Sequence, residues 1–256
     1  MKLTRLLLVL AAVMSIAVFA PGEGGAAIVT FSGSNAGAGP TDPRPTADAA
    51  ASSFNSAAAL FGNVGLINFE GFSTGFNASF TAAPGVTATF SGDYDPIYSG
   101  IFTNSATPTV MGYNTTAGGT KYLGISPNFN YFSGNTTTSL TFSFADPINA
   151  FGAYITGLES AIAGTVKLNF FDGSSQSYKL TDLAGGGVQF FGFTDTLLVA
   201  SIVFQETLPP GTGLRDIWGL DDIRYAAAAV PETSSILLIA SGLLGIVAYR
   251  KRMRMS

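Results

Sequence analysis

Apolar and polar residues alternate along the chain from Val64 to Tyr225, and this alternation limits the fold more than any other feature of the sequence. Val86, Ala88 and Phe90 take every second position; so do Leu140, Phe142 and Phe144, and then Phe151, Ala153 and Ile155. Val166, Leu168 and Phe170 continue the series, followed by Phe191 with Phe193 and Ile202 with Phe204. Successive side chains of a strand point to opposite faces, so each run buries one face and wets the other. Turn signals separate the runs: Pro84-Gly85, Ser91-Gly92-Asp93, Ala145-Asp146-Pro147, Asp172-Gly173 and the Gly185–Gly187 triplet. The span Val166–Leu180 ("VKLNFFDGSSQSYKL") is the clearest hairpin, with Asp172-Gly173 in its turn. Short strands without helices between them imply an all-β domain over residues 64–225, an antiparallel β-sandwich or jelly roll. Phenylalanine, present 21 times, supplies the apolar layer between two sheets. No period of solenoid or propeller kind is present.

Residues 28–63 read differently. Ser32–Pro45 ("SGSNAGAGPTDPRP") is small and polar without period, the composition of a linker. Thr46 is a natural N-cap, and Ala50, Phe54, Ala57, Ala58 and Phe61 fall on one helical face before Gly62. One short helix is expected ahead of the sandwich.

The two ends carry targeting signals. Lys2 and Arg5 precede an apolar run, Leu6–Ala20, as in the signal helix of a secretory leader. Pro21 hinders a cut after Ala20, so a signal peptide spanning residues 1–27 is expected, removed by signal peptidase after Ala26 or Ala27. In the closing segment, 226–256, Thr233–Tyr249 is apolar and spans about 25 Å as a helix, enough for a bilayer core. Arg250, Lys251, Arg252 and Arg254 follow it as a stop-transfer cluster, which keeps them cytoplasmic and leaves the body outside the inner membrane.

Charge and residue types narrow the chemistry. Residues 28–229 hold six Lys and Arg against fourteen Asp and Glu. No basic stripe for phosphates exists there, so nucleic acid is excluded as a partner. The chain has no His and no Cys. That removes the Ser-His-Asp triad, thiol nucleophiles, ordinary zinc sites and disulfides. A glycan hydrolase needs only two carboxylates; the candidates are Glu70, Asp93, Asp95, Glu159, Glu206, Asp216, Asp221 and Asp222. Nearly all fall in turns or at strand ends, where solvated acids are ordinary, so no catalytic residue is assigned. Asn77, Asn114 and Asn135 begin Asn-X-Ser/Thr triplets, read as surface loops. Tyr94, Tyr98, Tyr113, Tyr122, Tyr131 and Trp218 could stack on sugars, although core packing is the commoner use of such rings.

"INFEGF" (Ile67–Phe72) opens the alternating region and "GLDDIRY" (Gly219–Tyr225) closes it. First and last strands of jelly rolls are often neighbours, which would bring Glu70 to Asp221 and Asp222; the plain alternative is edge acids paired with Arg224 or Arg215. The arrangement resembles MAM-type and related carbohydrate-binding jelly rolls. That resemblance implies a structural calcium held by Glu70, one of the two aspartates and backbone carbonyls, and hard oxygen ligands suit calcium.

Val230-Pro231-Glu232, then the Gly- and Leu-rich apolar run, then the basic cluster, resembles the PEP-CTERM sorting signal of Gram-negative bacteria. Thr233 stands where that family usually has a second Pro. The resemblance implies recognition by an exosortase, cleavage near Pro231-Glu232, and a place at the cell surface or in an exopolysaccharide biofilm matrix. The resulting expectation is an exported surface or extracellular-matrix protein whose non-enzymatic sandwich associates with exopolysaccharide. A carboxylate-dependent glycan hydrolase is the alternative, as is an ice-binding protein. Ice binding calls for a flat, regular Thr array, into which "TNSATPT" (Thr103–Thr109) and "NTTTS" (Asn135–Ser139) do not extend.

Overall fold

The computed structural model describes residues 28–104, 110–128, 136–159, 165–208 and 216–227. The signal peptide, the Val230-Pro231-Glu232 motif, the apolar run after it and the basic cluster lie outside these residues. No helix among the described residues is long and apolar enough to cross a membrane.

The chain is mostly antiparallel β-sheet with a single helix among the described residues. Two very long strands, β7 (Thr136–Thr156) and β10 (Gly187–Leu208), pair with each other along nearly their whole length. Both bend at the same level. The register slips twice: between Thr194 and Val199 on β10, which face Ala150 and Ile148 on β7, and between Val199 and Ser201, which face Ile148 and Ser143. Ala145-Asp146-Pro147, expected as a turn ending a strand, is therefore a corner inside one. A bulge bends a strand without breaking its pairing, and here it folds one continuous sheet back on itself.

Each half of the long pair recruits its own neighbours. Residues 138–144 of β7 pair with β4 (Val86–Gly92), which pairs with β3 (Ser79–Ala83). Residues 199–205 of β10 pair with β8 (Thr165–Phe170), which forms the expected hairpin with β9 (Ser175–Lys179). Gly173 in that turn has φ +88°, the left-handed conformation glycine adopts without steric cost. These strands make sheet I. Sheet II is built on the other halves. Residues 150–156 of β7 pair with β11 (Trp218–Ala226), and β10 pairs with β1 (Val29–Ala36). β11 also receives β2 (Gly65–Ile67) and β6 (Lys121–Ile125), and β6 pairs with β5 (Gly100–Thr103).

The alternating residues of both sheets meet between the layers. Phe142 and Phe144 from sheet I contact Phe151 from sheet II with ring centroids 6.1 and 6.3 Å apart, and Phe204 lies 6.1 Å from Trp218. All but Phe144 are fully buried or nearly so. The expected β-sandwich is thus present, with aromatic pairs across its core.

Residues 28–63 differ from expectation. The segment expected as a linker holds β1, which pairs over eight residues with β10. The helix α1 (Pro45–Ala58) lies on the outer face of sheet II. Its N-cap is Arg44 rather than Thr46, because Pro45 at the first helical position needs no hydrogen-bond partner for its nitrogen. The Asn35 side chain, arriving from β1, accepts from the Ala47 N–H at 3.0 Å and supplies the missing cap. The buried face runs through Ala47, Ala51, Phe54 and Ala58. Phe54 sits over Gly152 and Gly192, which are direct cross-strand partners. A Cβ on Gly192 would meet the Phe54 ring at 2.8 Å, so these glycines form the dent that the ring fills.

Candidate functional site

The three acids singled out at the two ends of the sandwich do converge. β2 pairs with β11 in the register Ile67↔Ile223, so the chain leaving β2 carries Glu70 alongside the aspartates. In a regular strand Asp221 and Asp222 would point to opposite faces. They do not, because β11 slips register between Asp221 and Arg224 and Asp222 has φ +46°. That left-handed residue costs of order 1 kcal/mol and turns both carboxylates to the same side. The Thr115 hydroxyl lies 3.1 Å from Asp221 Oδ2 and 3.2 Å from Asp222 Oδ2.

What holds the acids is the loop before β6. Asp221 Oδ2 accepts from the backbone N–H groups of Thr115 (2.6 Å) and Thr116 (3.1 Å) and from the Asn114 amide (3.1 Å). Glu70 Oε1 accepts from the same Asn114 amide (2.7 Å) and from the N–H groups of Thr120 and Lys121 (2.9 and 2.8 Å). The Lys121 ammonium donates to the carbonyls of Glu70 and Phe72 at 3.0 and 2.6 Å. Asn114 is buried and committed to both acids, so its triplet is not an open surface loop. Arg224 donates to the backbone carbonyl of Asp222 and lies over the Tyr154 ring, so it does not form the carboxylate pair considered above.

Every donor to Asp221 falls on Oδ2, while Oδ1 is buried and accepts no hydrogen bond. Burial, with the neighbouring Asp222 charge adding to it, pushes the Asp221 carboxyl up to about 7. An oxygen in that position asks for a proton or a cation. The nearby donors are hard oxygens, which suits calcium in kind. Against this, Glu70 Oε1 is filled by N–H groups and Lys121 supplies a positive charge from within. Among the described residues no three acidic side chains are grouped as one shared ion would require.

The other candidate acids are spent elsewhere. Asp95 closes its own turn, and Asp93 accepts from Asn128. Glu206 is fully buried, accepts from the Trp218 indole N–H at 2.7 Å, and is pushed up to about 8 by burial, with Asp216 nearby adding to the effect. Asp216 is buried too and accepts from the Glu159 N–H. Tyr113, Tyr122 and Trp218 are core residues, Tyr94 stacks on Phe76 with centroids 5.1 Å apart, and Tyr131 lies outside the described residues.

A second feature was missed by reading segments one at a time. The outer face of sheet I is a grid of mostly small polar side chains aligned across strands, interrupted by Val203 and Lys167. One row runs Thr87, Ser143, Ser201, Asn169, Ser175; the next runs Ser79, Thr89, Thr141, Val203, Lys167, Ser177. Rows repeat about every 7 Å along strands and about 4.8 Å across them. Hydroxyls meet directly at Ser79–Thr89 (2.9 Å) and Thr137–Thr207 (3.1 Å). The signal was present in the polar half of each alternating run, but only the pairing register assembles it.

No family model matches the chain, and no curated protein matches it. Among solved structures it is similar to the K2 cleaved adhesin domain of Lys-gingipain (11% identity, 64% of this chain and 98% of that one, TM-score 0.42). It is also similar to a family 11 carbohydrate-binding module from Clostridium thermocellum in complex with a beta-1,3-1,4-mixed-linked tetrasaccharide (11% identity, 60% and 95%, TM-score 0.33). A third is the enzymatically active domain of bacteriophage CBA120 tailspike protein 4 (12% identity, TM-score 0.33). The chain covers 19% of that domain's length, and 56% of this chain is matched. Scores at this level assign neither a family nor a ligand.

Proposed function

We propose that the chain is an exported bacterial surface or extracellular-matrix protein, sorted through its C-terminal signal, whose sandwich associates with exopolysaccharide without cleaving it. Signal peptidase removes residues 1–27 and an exosortase cuts near Pro231-Glu232 after the 233–249 run has held the chain at the inner membrane. The observation that carries the role of the body is the outer face of sheet I. A wide row of mostly hydroxyl-bearing side chains suits an extended, hydroxyl-rich polymer, which it meets by many weak hydrogen bonds. Glu70, Asp221 and Asp222 are structural in this reading: they fasten the two ends of the sandwich to the Asn114–Lys121 loop, and Asp221 Oδ1 is the oxygen left over for a calcium ion. The same grid favours ice binding as a second reading. The hydrolase reading has the raised Glu206 carboxyl in its favour, but Glu206 and Asp216 are both buried.

The test is to express the full chain in an exosortase-bearing host and collect the surface material. Its mass should lack Arg250–Ser256, and it should be retained on the host's exopolysaccharide. Thr141→Glu places a charge in the middle of the grid; it should abolish retention and change stability by no more than about 1 kcal/mol, the span of strand preferences at a half-buried central position. An intact tail on all the surface material refutes the sorting. Equal retention of wild type and variant refutes the assigned face, and inhibition of ice growth without retention favours the second reading.

A further inference from the structure

Both ends of the described body leave the sandwich at one end. Val29, Thr194, Ala150 and Ala226 are successive cross-strand partners, so β1 begins and β11 finishes on a single line across sheet II. The corners at 145–148 and 194–199 lie just beyond that line. The chain after α1 arrives there as well, since a Cβ on Gly62 would meet the Ala227 carbonyl at 2.7 Å.

That end is apolar. Seven large apolar side chains are exposed among the described residues, and five stand on the segments that reach this end: Val29 (51%), Leu60 (86%), Phe171 (70%), Leu197 (48%) and Leu198 (39%). The Phe171 N–H donates to the Leu198 carbonyl at 2.8 Å, and Leu197 lines a shallow cavity with Ile28, Phe170 and the polar Ser174, Ser175, Gln176 and Asp195. Of the other two, Leu66 lies opposite Arg224, two residues before Ala226 on β11, and Ile97 lies in the turn closed by Asp95. Clustering of this kind marks an interaction surface.

The sequence says what meets it. Thr233, where the apolar run to Tyr249 begins, is six residues beyond Ala227. Even fully extended, that stretch reaches only about 20 Å, so whatever holds the run also holds this end of the sandwich. We propose that this end is a bilayer-contacting face, with Val29, Leu60, Phe171, Leu197 and Leu198 resting in the interfacial layer. The proposal rests on the reading that the 233–249 run anchors the chain before processing. Attraction is apolar rather than electrostatic, since Asp146 and Asp172 are exposed beside the rim and the body carries excess acid. The start of α1, bound through Arg44 to the carbonyl of Thr115 in the acid-holding loop, lies at the far end of the helix, away from lipid. The hydroxyl grid then stands along the side of the molecule, open to the matrix.

The chain contains no cysteine, so single ones can be labelled alone. Phe171→Cys, Leu197→Cys and Ile97→Cys, each in the full chain, carry an environment-sensitive dye and are reconstituted into phosphatidylcholine vesicles with headgroup-proximal nitroxide lipids. Flotation with the vesicles is measured in parallel. Dyes at 171 and 197 should be quenched at least twofold more than the dye at 97. If the chain floats but all three dyes are equally wet, the lipid face is refuted while the anchoring stands. If the chain does not float, both fail. Dyes at 171 and 197 that are shielded without quenching, in a dimeric protein, assign the rim to a second copy and overturn the proposal.

Discussion

Replacing Asp221 by Asn should flatten the pH dependence of stability. In the folded chain its carboxyl titrates near 7, against 3.8 for the free group. The folded state therefore holds this proton more tightly than the unfolded state, and stability present below pH 4 is lost as pH rises through 7. Three pH units at 1.36 kcal/mol each put the whole loss at about 4 kcal/mol. The geometry makes Asn a fair mimic of the protonated acid. All donors converge on Oδ2, where the amide oxygen can sit, and Oδ1 has no partner to lose. Glu206, raised to about 8, adds a similar slope to both proteins and cancels in the comparison. The assay is urea unfolding in chelator from pH 4 to 8, followed by the fluorescence of Trp218, the single and fully buried tryptophan. Wild type and Asp221→Asn should be about equally stable at pH 4, and the variant more stable at pH 8 by up to about 4 kcal/mol. Parallel curves across the range would mean that Asp221 is not protonated in the fold, and the account of its orphaned oxygen would fall.

Calcium supplies the other way to satisfy that oxygen. If the acids hold it, calcium at a hundredfold above its dissociation constant should stabilise wild type at pH 8 by about 2.7 kcal/mol, and Glu70→Gln by clearly less; melting curves indifferent to calcium and chelator in both proteins dispose of the ion. Phe54→Ala, which empties the dent over Gly152 and Gly192, should cost about 3–5 kcal/mol. A loss under 1 kcal/mol would show that α1 is not part of the cooperative core.

The sandwich was legible because its signal is local. A buried face facing a wet one forces alternation, and Phe142, Phe151, Phe170 and Phe204 stand where the pattern put them. The turn at Asp172-Gly173 was legible for the same reason, since two residues fix it. The passage through Ala145-Asp146-Pro147 was not. A proline after a polar residue reads as a strand end, and only the matching bend in β10, some fifty residues later, keeps the strand going. β1 escaped because its polar, glycine-rich segment borrows its order from β10 and from the helix above it. Small residues such as Gly33 let that helix lie close: a Cβ there would meet the Thr46 carbonyl at 2.3 Å.

The site divides along the same line. That Glu70 would meet Asp221 and Asp222 could be read from the positions of the first and last acids, because β2 and β11 close the sandwich as neighbours. What brings both aspartates to one side could not. Alternation assigns Asp221 and Asp222 to opposite faces, and the bulge that defeats it depends on a left-handed aspartate, which sequence favours only weakly. Nor could the partners be read, since Asn114, Thr115 and Thr116 sit more than a hundred residues before the aspartates they hold, in a triplet that looks like an exposed loop. A carboxylate in water needs no such cradle. The N–H groups of Thr115 and Thr116 and the Asn114 amide converging on one oxygen of Asp221, with the other oxygen left bare, mark a group whose charge the fold must manage. Asp221 is therefore the residue whose proton bears most directly on how firmly the two ends of the sandwich are closed.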